Sequence, residues 1–319
     1  MKRLFTILFA PLFLLAATTI KPADTIEVDG NIMDSVLYGD TIFVGTDAGT
    51  FEIFNWNTKK LISKIVYPKI EDFMGDLMNP KILGVDYDPK SGAKVVQVEA
   101  KDGQRNLYYY DKSGKISTLI DEHMHLPMRE VRFVDSDHLL IATMGNEIML
   151  FDIPQKRVIY RKQLSESVFS DYQMDETHTK VASSCESGAL FITDIKNGKT
   201  IKKYFDINKD NVFKVDFKNH HVLTCGKDKR AVIYNLPADS HKIIMSDFFI
   251  YAGGLNADAS LAAIQIDEQN TIAIYDANDL AIQSKLVGHQ STVNNIFFID
   301  DKTIISTSDD NKILIWRLP

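Results

Sequence analysis

The chain has 319 residues, is 45% hydrophobic and 25% charged, and carries a formal net charge of −7. That is enough apolar sequence for one large core. The acidic balance argues against nucleic acid and against an anionic membrane surface as partners, because both would be repelled; it suits a basic protein partner, or simply solubility.

The first residues read as a targeting segment. Lys2 and Arg3 precede a 14-residue apolar run from Leu4 to Ala17, with Pro11 inside it and the small pair Ala16-Ala17 at its end. A membrane-spanning helix needs about 20 apolar residues, so the run is short for an anchor and suits a cleaved export signal. Residues 1–20 are expected to be that signal, with the cleavage point left open, and the protein to work in the periplasm or outside the cell, not inserted in a membrane. There is no twin-arginine pair and no cysteine near Ala17 to carry a lipid. Loss of Lys2 and Arg3 leaves 34 basic against 43 acidic residues, a net −9.

Residues 24–319 are expected to form a single domain built from repeats. Segments end alike at Phe54-Asn55, Tyr110-Asp111, Phe151-Asp152, Thr193-Asp194, Tyr234-Asn235, Tyr275-Asp276 and Trp316-Arg317. From Asp111 onward the steps are 41 or 42 residues; the step from Asn55 is 56 and contains an insertion. A period of about 40–45 residues rich in β-branched and aromatic side chains is one four-stranded propeller blade. Seven units predict an all-β, seven-bladed propeller.

Each unit opens with the spacing apolar-x-x-apolar-x-apolar, read as the inner strand: Ile82/Val85/Tyr87, Met128/Val131/Phe133, Val212/Val215/Phe217 and Val293/Ile296/Phe298. Second strands are expected at Thr41–Gly45, Leu139–Thr143, Val222–Cys225 and Thr303–Thr307. Third strands are expected at Glu147–Phe151, Ala231–Tyr234, Thr271–Tyr275 and Lys312–Trp316, with period-two alternation between turn residues. The seventh unit ends after its third strand, whereas Thr25-Ile26-Glu27-Val28 precedes the first inner strand. This N-terminal segment is expected to complete the seventh unit and close the ring, removing an exposed sheet edge.

The x-x pairs of the inner strands are expected at one mouth of the central channel: Asp34/Ser35, Leu83/Gly84, Arg129/Glu130, Ser170/Asp171, Phe213/Lys214, Tyr251/Ala252 and Asn294/Asn295. They mix both charges with aromatics and lack the convergent carboxylates or histidines that a metal hydrolase needs. Asp34, Arg129, Asp171, Lys214, Tyr251 and Asn294 are the candidate partner-binding residues. Phe73 and Met74 join them from the insertion, because long loops on rigid scaffolds commonly carry function.

The seventh unit carries the most specific motif: Gly288-His289, then Ser306-Thr-Ser308-Asp-Asp310, then Ile315-Trp316. It resembles a WD40 repeat. The resemblance implies a buried structural network of His289, Ser308, Asp310 and Trp316; no oxyanion-hole turn accompanies them, so a hydrolase triad is not implied. The fifth unit keeps Asp228 six residues before Tyr234, and the others diverge further. Cys185 and Cys225 lie on second strands of neighbouring units, one position out of register, so their thiols point to opposite faces. A disulfide and two buried thiols are both open. His123 and His125, in the run Asp121–Met128, have ligand chemistry for copper or zinc but a spacing too common to assign a site, and the run reads as a solvated loop.

With its export signal and the insertion Ile70-Glu-Asp-Phe-Met-Gly-Asp76 before Lys81-Ile-Leu-Gly-Val-Asp86, the chain resembles the NapL accessory proteins encoded with the periplasmic nitrate reductase of epsilon-class proteobacteria. That resemblance implies a non-catalytic, cofactor-free periplasmic monomer that serves reductase components during assembly, maturation or electron-transfer docking. Two alternatives stand beside it: an enzyme with its site at the channel mouth, using Arg129, Asp171, Lys214 and Tyr251, and an envelope scaffold unrelated to nitrate.

Overall fold

The computed structural model describes residues 17–319; the apolar segment read as an export signal lies outside the described residues except for Ala17. Seven antiparallel sheets succeed one another around a channel. Their innermost strands, taken as blades 1 to 7, are Ile32–Tyr38, Ile82–Asp88, Met128–Asp135, Phe169–Met174, Val212–Lys218, Gly253–Leu255 and Val293–Asp300. The protein is a seven-bladed, all-β propeller, as the period requires. The expected second and third strands fall within one residue of those observed, for example Thr41–Thr46, Glu147–Asp152 and Lys312–Arg317.

Each blade contributes apolar side chains to both of its neighbours, so the core is divided among the junctions. In blade 3, Ile141, Met149 and Phe151 face Val95, Leu107 and Ile120 of blade 2, while Leu140, Ala142 and Ile148 face Phe169, Tyr172 and Val181 of blade 4. Period-two alternation on strands buried on both faces produces this division. Outermost strands such as Lys60–Val66 and Arg157–Gln163 are largely exposed.

In six blades the inner strand bulges after its first residue, as between Ile32 and Asp34 or Val212 and Lys214. The bulge turns the following side chains toward the channel. It also corrects one register. Ile32, not Met33, is equivalent to Ile82 and Met128, so the mouth pair of blade 1 is Met33/Asp34 in place of Asp34/Ser35. Ser35 turns into the junction with blade 7, where it is 2% exposed. The apolar spacing is met by Met33/Val36/Tyr38, whereas the observed register, Ile32/Ser35/Leu37, has a serine at its middle position, so only cross-strand pairing reveals it.

The ring closes through the N-terminal segment. It contains β1 (Thr18–Ile20) and β2 (Asp24–Glu27). β2 pairs antiparallel with the third strand of blade 7, Ile26 opposite Ile313, and Ile26 is buried between blades 7 and 1. This is the closure expected from Thr25–Val28. β1 was not expected: it runs parallel to Ile282–Leu286 as a fifth strand on blade 6, inside the 1–20 span read as signal. Three residues are too few to show a period. Between β1 and β2, Pro22 sits against Gly288 and near Trp316, where a Cβ on Gly288 would approach Pro22 Cγ to 2.7 Å.

The two cysteines are free and buried, which removes the disulfide alternative. Their side chains do lie on opposite faces, but each points away from the other. Cys185 packs into the junction of blades 3 and 4, and Cys225 into that of blades 5 and 6. Cys225 also explains Gly253: a Cβ there would sit 2.5 Å from its sulfur.

Candidate docking site at the channel mouth

Inner strands begin on the same face that carries the fourth-to-first links and the second-to-third turns, here called the upper face. A vestibule of about 240 Å³ opens there, lined by Asp34, Arg129, Asp171, Lys214, Tyr251 and Asn294 among others. All six mouth candidates from the inner strands are thus brought together. Phe73 and Met74 are not in this vestibule. They project, 87% and 74% exposed, from an insertion that forms its own small hairpin, Ile70–Glu71 with Leu77–Met78. A second vestibule of about 270 Å³ opens below, and Glu130, Arg132, Lys214 and Asn295 line both, marking the waist of the channel.

The charges at the waist bind blade to blade. Asp34 accepts the N–H of Val85 at 2.9 Å, Asp86 that of Phe133 at 2.6 Å, and Glu130 that of Tyr172 at 3.3 Å. Asp171 accepts from Val215 at 2.7 Å and Asp216 from Leu255 at 2.7 Å. In every case a carboxylate on one inner strand holds the backbone of the next. Arg132 is bidentate to Asp34, at 3.0 and 3.2 Å, and reaches Glu130 at 3.1 Å; Lys214 lies 3.6 Å from Asp171. Burial opposes the charge on both cations, but Asp34 and Glu130 around Arg132, and Asp171 and Glu130 around Lys214, outweigh it and hold both pKa values above the ordinary range. Burial pushes Glu130 up to about 8 against the pull of Arg132, and Asp86 up to about 6.

Sequence reasoning chose Asp34, Asp171 and Lys214 for recognition; their charged atoms are engaged in this girdle. Asn294 likewise donates to the carbonyl of Ile32 at 3.1 Å. Arg129 is exposed, and Tyr251 is partly exposed and stacked on Phe213, centroids 4.7 Å apart. Phe248 and Phe249 extend that aromatic patch. Arg132, Asp86 and Asp216 were missed, although each is the charged residue between the last two apolar positions of its inner-strand motif, where period two also faces the channel.

Blade 7 contains a second polar network. Ser306 Oγ lies 2.6 Å from His289 Nε2 and accepts from Trp316 Nε1 at 2.8 Å. Ser308 instead donates to Asp310, 2.8 Å away, which also accepts from the Lys312 N–H and braces the turn. The expected four-residue network is therefore two separate pieces, and the serine that joins histidine to tryptophan is Ser306. The ladder explains this: Ser306 is opposite Leu314, one same-face step from the Ile304–Trp316 pair, whereas Ser308 is two steps away. Burial holds His289 down to about 4, a neutral imidazole.

The family model described as WD domain, G-beta repeat matches residues 281–317, which spans both pieces. The chain is a WD40-like β-propeller. No curated protein matches it. WD40 propellers are typically non-catalytic scaffolds that mediate protein–protein interactions. In this WD40-like ring, His123 lies within the short 3-10 turn Glu122–Met124, which Asp121 caps and His125 ends, and among the described residues no group of three His, Cys, Asp or Glu is placed to hold a metal ion.

Proposed function

We propose that the protein is a non-catalytic docking module that works outside the cytoplasm as an accessory to a periplasmic nitrate reductase system. One observation carries the docking part. The charged side chains inside the channel are engaged with adjacent blades, while the accessible side chains around its upper mouth, beside Met33 and Asp309, include Arg129 and the stacked Phe213–Tyr251 pair, and arginine and aromatic residues dominate binding energy at interfaces. The mouth residues weighed for an enzyme form no acid–base set, since Asp171 and Lys214 are bonded into the girdle; His289, away from the mouth, is buried against Ser306 and Trp316 in blade 7. The nitrate reductase assignment rests on the export segment and the resemblance of the insertion.

In this reading the leader is removed at or before Ala17, because Thr18–Ile20 completes the edge of blade 6. N-terminal sequencing of the exported protein should begin no later than Thr18; a start beyond Ile20 contradicts it. Affinity purification from periplasm should recover reductase components, and a deletion strain should lose nitrate-reducing capacity. Normal nitrate reduction with no reductase component recovered would reject the accessory role.

A further inference from the structure

The two faces of the ring differ in charge and in exposed apolar surface. The links and turns of the upper face contain eighteen Asp and Glu against six Lys and Arg, whereas those of the lower face are nearly balanced, nine against eight. The upper excess of twelve is larger than the net −7 of the whole chain. Exposed large apolar side chains segregate in the same way. Met33, Met124, Met144 and Val168 lie at the upper face, with Phe73, Met74, Leu77, Phe205 and Val287, and Val66 and Met245 at the upper ends of outermost strands; the rest lie on outermost strands, only Ile116 and Ile282 at their lower ends, and none is on a lower turn.

Methionine is flexible and polarizable, and adapts to apolar partners of varied shape. Five exposed methionines, spread over the links, turns and strand ends of this face, and the stacked Phe213–Tyr251 pair give it adaptable apolar side chains, and the carboxylates of the same loops set the sign of what can approach. A second copy of the same face would bring two acidic surfaces together, and anionic lipid or nucleic acid would be repelled. The remaining complement is cationic and apolar at once. We infer that the upper face docks a basic, amphipathic segment of a partner protein, with apolar side chains on the methionines and Phe213–Tyr251 and Lys or Arg toward the acidic loops. This rests on the docking reading above and specifies the chemistry of the partner.

The test uses the purified protein and three labelled peptides of ~18 residues, about five helical turns: Leu–Lys amphipathic, Leu–Glu amphipathic, and Lys–Ser. The Leu–Lys peptide should bind at least about ten-fold tighter than either other peptide, and its affinity should fall by about ten-fold or more between low and high salt. The variant M74S/M124S/M245S, at positions 74%, 57% and 62% exposed, should retain its circular dichroism and melt and lose most of this binding. Ile159→Ser, on an outermost strand, should leave binding unchanged. Equal binding of the Leu–Glu peptide, no binding of Leu–Lys, or full binding by the triple variant would each overturn the inference. Photo-crosslinking in cells from Tyr251 separates the two levels: a captured partner whose crosslinked segment is acidic or polar defeats this inference but leaves docking intact, whereas absence of any crosslinked partner defeats docking itself.

Discussion

The junctions from blade 1 round to blade 6 are locked differently from those where the two ends of the chain meet. Around the first arc, five carboxylates hold the next blade's amide, and two buried cations compensate them. At the closing arc the polar bonds come mainly from neutral groups: Asn295 donates to Ser35 at 3.1 Å, Asn294 to the Ile32 carbonyl, and Asn256 to Asp301 at 2.9 Å. There the N-terminal segment acts as a strap: β1 lies on blade 6, β2 on blade 7, and Val28 is buried against blade 1. Buried charges stabilise only while their partners remain, and strand pairing with apolar burial is insensitive to pH. The first arc therefore depends on protonation and the second on the strap.

Breaking the strap should have the largest effect. Ile26→Asp places an unpaired carboxylate between blades 7 and 1 and is expected to cost about 4 kcal/mol or more, lowering the melting temperature by about 10 °C; an unchanged melt would show that β2 is dispensable. On the other arc, Arg132→Met leaves the Asp34 carboxylate buried without its bidentate cation, an expected loss of about 3–5 kcal/mol in denaturant unfolding. Ser306→Ala deprives His289 and Trp316 of their shared partner and should cost about 1–3 kcal/mol by the same measurement.

The pH response sharpens the contrast. Glu130 is neutral in the fold up to about 8 but ionises near its ordinary value when unfolded. The unfolded state thus holds fewer protons in that window, and stability falls as pH rises through it. His289, held down to about 4, has the opposite sign: its contribution is complete above the ordinary histidine value near 6.5 and is lost as pH falls toward 4. Between pH 6.5 and 8 the melt of the native protein should decline while that of Glu130→Gln stays flatter; parallel profiles would show that Glu130 does not titrate there. The smallest effect belongs to the free rim: Arg129→Ala should change stability by less than about 0.5 kcal/mol while reducing partner capture.

Much of the fold was legible because a propeller repeats its pattern. Turn residues and period-two alternation located second and third strands to within a residue, and the need to cover an edge identified β2. The site was legible in part. Spacing placed Asp34 and Asp171 at one mouth, but not the fact that each would be engaged by the neighbouring blade, since that bond joins residues 51 and 44 positions apart. Ser308 was chosen over Ser306 for a similar reason: both lie on one face of the strand, and only the ladder with Lys312–Arg317 says which meets Trp316.

The amino-acid order alone determined the number of blades, their strands and the segment that seals the ring, because these depend on local alternation and on a period within one chain. The direction of each thiol, the register of blade 1, the division of channel charges into girdle and free rim, and the gathering of acidic and methionine-bearing loops on one face were decided by tertiary structure. Each depends on which distant strands are neighbours, and no local pattern encodes that.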